Sequence, residues 1–229
     1  MSADSAFRPS AYSAALLKHL LLRKAFVHGA DVLDIGCGSG VLLHAAAGLG
    51  ARGVFGVDIE PAAVAETRRV LDTLGPGVAV DVRQGSLYAP VGERRFDVIL
   101  ANLPHFPMEH LALDERLASW SSGGGDGRHL LDPVIDGIGV HLQPDGFALI
   151  AHNAFVGLEK TRETADAHEL AVEVIDTVMV PLPPEKLACM TPQVLNRETG
   201  QTIHRVGAYV FAEVAVLMLR RVGAREHRA

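Results

Sequence analysis

The sequence predicts an α/β domain built on a parallel, doubly wound sheet with helices on both faces. Three observations predict it. Short apolar runs of strand length alternate with stretches at helical spacing. Three glycines at alternate positions, Gly36, Gly38 and Gly40, join the first apolar strand to the first helix of that series. The chain has 229 residues, which suits one α/β domain with extensions better than two domains.

The elements follow in order. Val32–Ile35 reads as a strand and Val41–Leu49 as a helix. Gly53–Val57 is a second strand that ends at Asp58. Pro61 suits the first turn of a helix over Ala62–Leu74, where a missing N–H costs nothing. Gly75-Pro76-Gly77 stops that helix. Val78–Val82 and Phe96–Ala101 are the third and fourth strands. Leu130–Leu142 is helical, Pro144-Asp145-Gly146 turns, and Phe147–His152 is a fifth strand. A helix over Phe155–His168, a sixth strand over Ala171–Val180 and a long apolar seventh over Ala208–Leu219 complete the series. A ligand then belongs at the carboxyl ends of the strands, near the point where strand order reverses.

Three regions stand outside this series. Residues Met1–Val27 look like a helical lid, with Tyr12–Phe26 amphipathic. Leu103–Arg128 is a long connection, and Pro181–Val206 is either a second such connection or an extended hairpin. The expected division is a lid over residues 1–27 and a ligand-binding domain over residues 28–229.

Composition narrows the function classes. Net charge is -6, so nothing draws the whole protein toward phosphate. The densest basic cluster, Arg220, Arg221, Arg225, His227 and Arg228, is a tail expected to be solvated. Cys37 and Cys189 are far apart, which argues against a disulfide framework and fits a reducing cytoplasm. No leader or membrane-spanning apolar run is expected. The 11 histidines form no ligand pattern, so no metal is expected. Gly36-Cys37-Gly38-Ser39-Gly40 is not a nucleophile elbow, because its serine follows the second glycine.

The glycine turn carries the first chemical signal. Its spacing is G-x-G-x-G, which differs from the pyrophosphate-reading G-x-G-x-x-G, and no Lys-Ser or Lys-Thr pair follows. A ligand must come close to this backbone, since no side chain occupies the approach. With Asp34 two residues before the first glycine, the run resembles motif I of class I S-adenosylmethionine-dependent methyltransferases. That resemblance implies a Rossmann-like, seven-stranded sheet with a reversed last strand. It also implies S-adenosyl-L-methionine as cofactor and S-adenosyl-L-homocysteine as product. Cofactor contacts are then expected from Asp34, Gly36, Gly38 and Gly40. Asp58 can accept both ribose hydroxyls, with Ile59 beside it, or else it only caps the helix at Pro61. In Gln84-Gly85-Ser86-Leu87-Tyr88 the family often has an acid facing the adenine amine. Ser86 stands there in this chain, so backbone groups of Ser86 and Leu87 are the expected contacts.

Asn102-Leu103-Pro104-His105-Phe106, at the end of the fourth strand, resembles the Asn-Pro-Pro-Tyr motif of the HemK-type N-methyltransferases. A planar nitrogen has its lone pair tied up in resonance. It attacks a methyl sulfonium only when acceptors hold its hydrogens and rehybridise it. The Asn102 side-chain carbonyl and the backbone carbonyl of residue 103 are expected to do this, and Asn102 also to touch cofactor. Two positions depart from the motif. Leu103 replaces proline, and His105 replaces the aromatic. His105 can stack weakly, shuttle a proton, or be a loop histidine without a chemical part. Phe106 can take over stacking.

Ser119-Trp120-Ser121-Ser122 leads into Gly123-Gly124-Gly125-Asp126-Gly127, similar to the glycine-rich segment that follows the motif in HemK-like enzymes. The expected acceptor-binding residues are Tyr12, Leu103, Pro104, Phe106 and Trp120. Trp120 would wall the pocket or simply anchor its loop. Glu109, Asp114, Glu115 and Asp126 could pair with a cationic acceptor or face solvent.

The expected function is methyl transfer to a planar nitrogen (amide, guanidine or amine) of a small amino-acid-like molecule or a protein side chain. One alternative is adenine N6 methylation of RNA or DNA. It requires an aromatic platform and a basic groove, and the charge balance argues against it. Small-molecule O-methylation and a partner subunit without turnover are the others. A monomer or homodimer is expected.

Overall fold

The computed structural model describes residues 8–75, 77–108 and 122–224. Trp120, Glu109, Asp114, Glu115 and the tail residues Arg225, His227 and Arg228 lie outside the described residues.

The chain opens with α1 (Ala11–Leu22) and a short α2 (Lys24–Val27). Then come β1 (Asp31–Ile35), α3 (Val41–Gly48), β2 (Gly53–Asp58), α4 (Pro61–Leu71), β3 (Ala79–Gln84) and β4 (Phe96–Ala101). From residue 122 onward come α5 (Leu131–His141), β5 (Leu142–Asn153), α6 (Leu158–Asp166) and β6 (Leu170–Pro181). It closes with α7 (Pro184–Cys189), α8 (Pro192–Glu198), β7 (Ile203–Val206) and β8 (Tyr209–Arg221).

The strands form one eight-stranded sheet in the order β3-β2-β1-β4-β5-β8-β6, with β7 paired to β8 off this path. β1 to β5 pair in parallel. β8 runs antiparallel between β5 and β6, which is the reversed last strand. The eighth strand comes from the 181–206 region, which is a connection with two short helices whose last residues, Ile203–Val206, form a hairpin with β8. β7 pairs with Tyr209–Ala212 of β8, just before the stretch from Val214 onward that pairs with β5. β1 sits between β2 and β4, so the order reverses at the glycine turn that follows β1.

Alternation along the strands builds two cores. Val32, Val98 and Leu100 pack on one face against Leu16 and Leu20 of α1 and Leu42, Leu43 and Ala46 of α3. Leu33, Ile99 and Ala101 pack on the other against Val134, Ile135 and Ile138 of α5. Burying both faces of the central strands explains their continuous apolar composition.

Two expected boundaries moved for physical reasons. The amphipathic stretch breaks at Arg23, which leaves helical geometry with φ -105° and ψ 26°. Pro144-Asp145-Gly146 is a bulge inside β5 and not a turn before it, since Phe96 pairs with Leu142 but Val98 with Phe147.

Candidate active site

The carboxyl ends of β1, β2 and β4 open onto a cavity of about 600 Å3. Its wall includes Asp34, Gly36, Gly38, Asp58, Ile59, Ser86, Leu87, Asn102, Leu103 and Pro104, so ten of the residues expected from sequence meet there. Gly40 does not line it; at the start of α3 it packs against Thr67.

The turn after β1 is held tightly. The N–H groups of Gly36 and Cys37 donate to the Val57 carbonyl at 2.7 and 3.1 Å. Asp58 reaches back from β2 and accepts the Gly38 N–H at 3.0 Å, and its other oxygen accepts the Glu60 N–H at 3.0 Å. Gly36 has φ +74°, and a Cβ there would stand 2.6 Å from the Leu103 side chain. Only glycine fits where the turn meets the motif after β4.

Asp34 is the electrostatic anomaly. It is 2% exposed, and its Oδ1 has no hydrogen-bond partner among the described residues. Burial, and then the Asp58 carboxylate, push its carboxyl well above the usual range. A buried acceptor left open on a cavity wall suits a ligand that brings a cationic donor. Asp58 uses one backbone N–H on each oxygen, so each keeps a lone pair for a hydroxyl. The cavity therefore fits an occupant with an amine at one end and hydroxyls at the other.

A second cavity of about 190 Å3 lies on the other side of the motif. Tyr12, His105, Phe106, Asn153 and Lys186 line it. Ser10, Asn102, Leu103 and Pro104 line both cavities and form their shared wall. Asn102 Nδ2 donates to Ser13 Oγ at 3.1 Å, so the carboxamide oxygen is the end left to accept.

His105 is buried, and both its ring nitrogens are engaged. Nε2 accepts the Asn153 N–H at 2.7 Å, and Nδ1–H donates to the Leu103 carbonyl at 2.6 Å. Burial pushes its pKa down to about 4. Tyr12 donates its hydroxyl to Asn153 Oδ1 at 2.8 Å and lies edge-on to the His105 ring; burial pushes its pKa up to about 12. The proton shuttle entertained for His105 finds no free nitrogen in this arrangement.

The glycine-rich segment forms the floor. Gly123 N–H donates to the Phe106 carbonyl at 2.8 Å, and Met108 N–H donates to the Gly124 carbonyl at 3.0 Å. A Cβ at Gly123 would stand 2.6 Å from both His105 Cα and the Gly127 oxygen, so this approach requires glycine. Arg128, 3% exposed, ties the segment to the carbonyls of Val156 and Gly157.

Sequence reasoning did not single out Ser13, Asn153 or Lys186. Asn153 and Lys186 come from the end of β5 and from α7. Sheet order brings Asn153 to the motif, and the links from Thr191 to Pro107 and from Met190 to Met108 bring Lys186 there.

Comparison with known proteins agrees with this arrangement. Residues 17–124 match the family model described as Ribosomal protein L11 methyltransferase (PrmA). Over 181 residues the chain is 32% identical to a Methanocaldococcus jannaschii protein provisionally named as a protein N5-glutamine methyltransferase, covering 76% of this chain and 86% of that one. It is 35% identical over 136 residues to the release factor glutamine methyltransferase of Geobacter sulfurreducens, covering 56% of this chain but only 47% of that protein, about half its length. A T. thermophilus 16S rRNA methyltransferase solved with S-adenosylmethionine and guanosine shares the fold, with TM-score 0.55, 22% identity, and coverage of 95% of this chain and 45% of that one. The extent of the match to the M. jannaschii protein settles the relationship: the chain belongs to the class I S-adenosylmethionine-dependent methyltransferases, in the family of the HemK-type protein N5-glutamine methyltransferases.

Proposed function

We propose that this methyltransferase modifies a planar side-chain nitrogen, the amide of a glutamine, in a protein or a small amino-acid-like molecule. One observation carries the proposal. Asn102, with its amide nitrogen committed to Ser13, stands in the wall between the two cavities. The larger cavity is assigned to cofactor and the smaller to the acceptor. The names of the two curated relatives support the glutamine amide.

The roles divide accordingly. Asp34 is assigned to the cofactor amine and Asp58 to the ribose hydroxyls, with Gly36, Gly38, Ile59, Ser86 and Leu87 as walls. Bound S-adenosylmethionine supplies an electrophilic methyl group on sulfonium. Asn102 Oδ1 and the Leu103 carbonyl accept the two amide hydrogens and hold the nitrogen lone pair out of resonance; once the methyl has passed from sulfur to nitrogen, one of those hydrogens leaves as a proton to solvent. His105 occupies one lone pair of the Leu103 carbonyl and leaves the other for the acceptor. His105 is therefore a positioning residue. Tyr12 and Phe106 wall the acceptor cavity, with Ser10 beside them.

The test is a methyl-transfer panel of glutamine peptides, free amino acids, guanidines and adenine oligonucleotides, read by mass spectrometry. Transfer to the glutamine amide is the expected result. Transfer to oligonucleotide alone would replace the proposal with the adenine alternative.

A further inference from the structure

We propose that the smaller cavity is a subsite for a carboxylate carried by the methyl acceptor, and that Lys186 binds it. This rests on the acceptor assignment above and adds the acceptor's charge to it.

Lys186 is held in place by the architecture around it. α7 follows Leu182, whose N–H donates to the Val210 carbonyl at 2.8 Å. It precedes Thr191, whose N–H donates to the Pro107 carbonyl at 2.9 Å, and Met190, which bridges to Met108. The helix is thus pinned directly to the segment after the motif. Its Nζ lies 5.6 Å from the centre of the Phe106 ring.

That cation is half-buried, and among the described residues no carboxylate pairs with it. Burial lowers its pKa, and only the adjacent Glu185 charge opposes this. The Tyr12 hydroxyl in the same cavity is already spent on Asn153. A desolvated ammonium facing a cavity gains most from an anion that completes its hydrogen bonding.

Size and charge select a carboxylate over a nucleic-acid backbone. The cavity of about 190 Å3 is smaller than the roughly 300–1,000 Å3 that encloses drug-sized ligands. Lys186 is its single lysine or arginine among the described lining residues, whereas a phosphate backbone is held by several cations. Because Asn102 and Leu103 share this cavity, the carboxylate lies close to the methylated nitrogen. It is either the α-carboxylate of the acceptor residue or a neighbouring acidic side chain.

The experiment compares wild type, Lys186→Met and Lys186→Arg as full chains. The acceptors are free L-glutamine, a blocked glutamine peptide with a flanking glutamate, the same peptide with that glutamate replaced by glutamine, and an adenine oligonucleotide. Lys186→Met is expected to lower kcat/KM for carboxylate-bearing acceptors by roughly 10- to 100-fold while changing the neutral peptide by less than about threefold. Lys186→Arg is expected to restore part of the loss. Whether free glutamine or the glutamate peptide suffers identifies the source of the carboxylate. Loss on the neutral peptide equal to that on the carboxylate-bearing acceptors, or no loss on either free glutamine or the glutamate peptide, overturns the proposal, as does Lys186-dependent transfer to the oligonucleotide. A second readout needs no turnover: NMR titration of glutarate into protein saturated with S-adenosylhomocysteine. Glutarate binding that weakens in Lys186→Met, without methylation of any glutamine acceptor, keeps the subsite and rejects the amide reading. Glutamine methylation with glutarate binding unchanged in Lys186→Met rejects the subsite and keeps the amide reading.

Discussion

The backbone N–H of Asn153 donates to Nε2 of His105 across 2.7 Å, and this bond decides what the histidine can do. It makes Nε2 an acceptor and places the ring proton on Nδ1, which donates to the Leu103 carbonyl. His105→Ala strands the buried Asn153 N–H and frees the carbonyl. We expect a stability loss of about 1–3 kcal/mol and a fall in kcat. His105→Asn, which can reproduce one of the two bonds, should recover part of kcat. Nitrogen NMR should find the neutral Nδ1–H tautomer at pH 7; a rapidly exchanging mixture of tautomers would contradict the assignment.

Acid should unfold the protein in a defined window. Burial holds His105 at about 4 and His152 at about 3, against about 6.5 in the unfolded chain. Between pH 6.5 and 4 the unfolded chain binds protons that the folded chain refuses. Stability therefore falls as pH drops through that window, by at most about 1.4 kcal/mol per pH unit for each histidine. Urea midpoints measured from pH 7 to pH 4.5 check this, and His152→Gln should flatten the dependence.

Asp34 has the opposite sign. Its folded pKa is raised, so the empty site holds a proton there to a higher pH than an ordinary carboxylate does. Binding of S-adenosylhomocysteine, whose amine is assigned to Asp34, should expel that proton. Calorimetry in buffers of different ionisation enthalpy should show proton release on binding, lost in Asp34→Asn. Asp34→Asn should also weaken binding by about tenfold or more.

Cofactor binding and turnover should separate by residue. Asp58→Ala is expected to weaken S-adenosylhomocysteine binding. Asn102→Ala should leave it within about threefold while abolishing methyl transfer. Ser13→Ala, which unties the Asn102 carboxamide, should lower kcat by about tenfold with little change in cofactor affinity. Equal loss of cofactor binding in Asp58→Ala and Asn102→Ala would contradict this division.

Neighbouring glycines should differ sharply. Gly123→Ala drives a methyl group into the His105 backbone, whereas a Cβ at Gly125 meets nothing within 4 Å. The first should cost upwards of about 2 kcal/mol and lower activity, and the second should stay within about 0.5 kcal/mol. Thermal unfolding of both variants measures the contrast.

The wall of the larger cavity was legible in the amino-acid sequence because its signals are local. Asp34, the glycine turn and Asp58 lie at strand ends, and a strand-turn-helix pattern with glycines needs only adjacent residues to be recognised. The Asn102 motif was legible for the same reason. The role of His105 was not. One of its two hydrogen bonds is local, to Leu103, but the other spans 48 positions to Asn153 at the end of the neighbouring strand β5.

The sequence by itself determined the doubly wound sheet, the reversed last strand implied by family resemblance, and the place of the glycine turn at the switch point. Tertiary structure alone decided the smaller cavity beside the motif. Ser13 meets Asn102 across 89 positions and Tyr12 meets Asn153 across 141. Lys186 reaches the motif because α7 is pinned to the segment following β4. The physical reason is that these contacts depend on which elements become neighbours in the packed fold. Local periodicity and turn chemistry specify an element and its buried face, but not the side chain that arrives from a distant part of the chain.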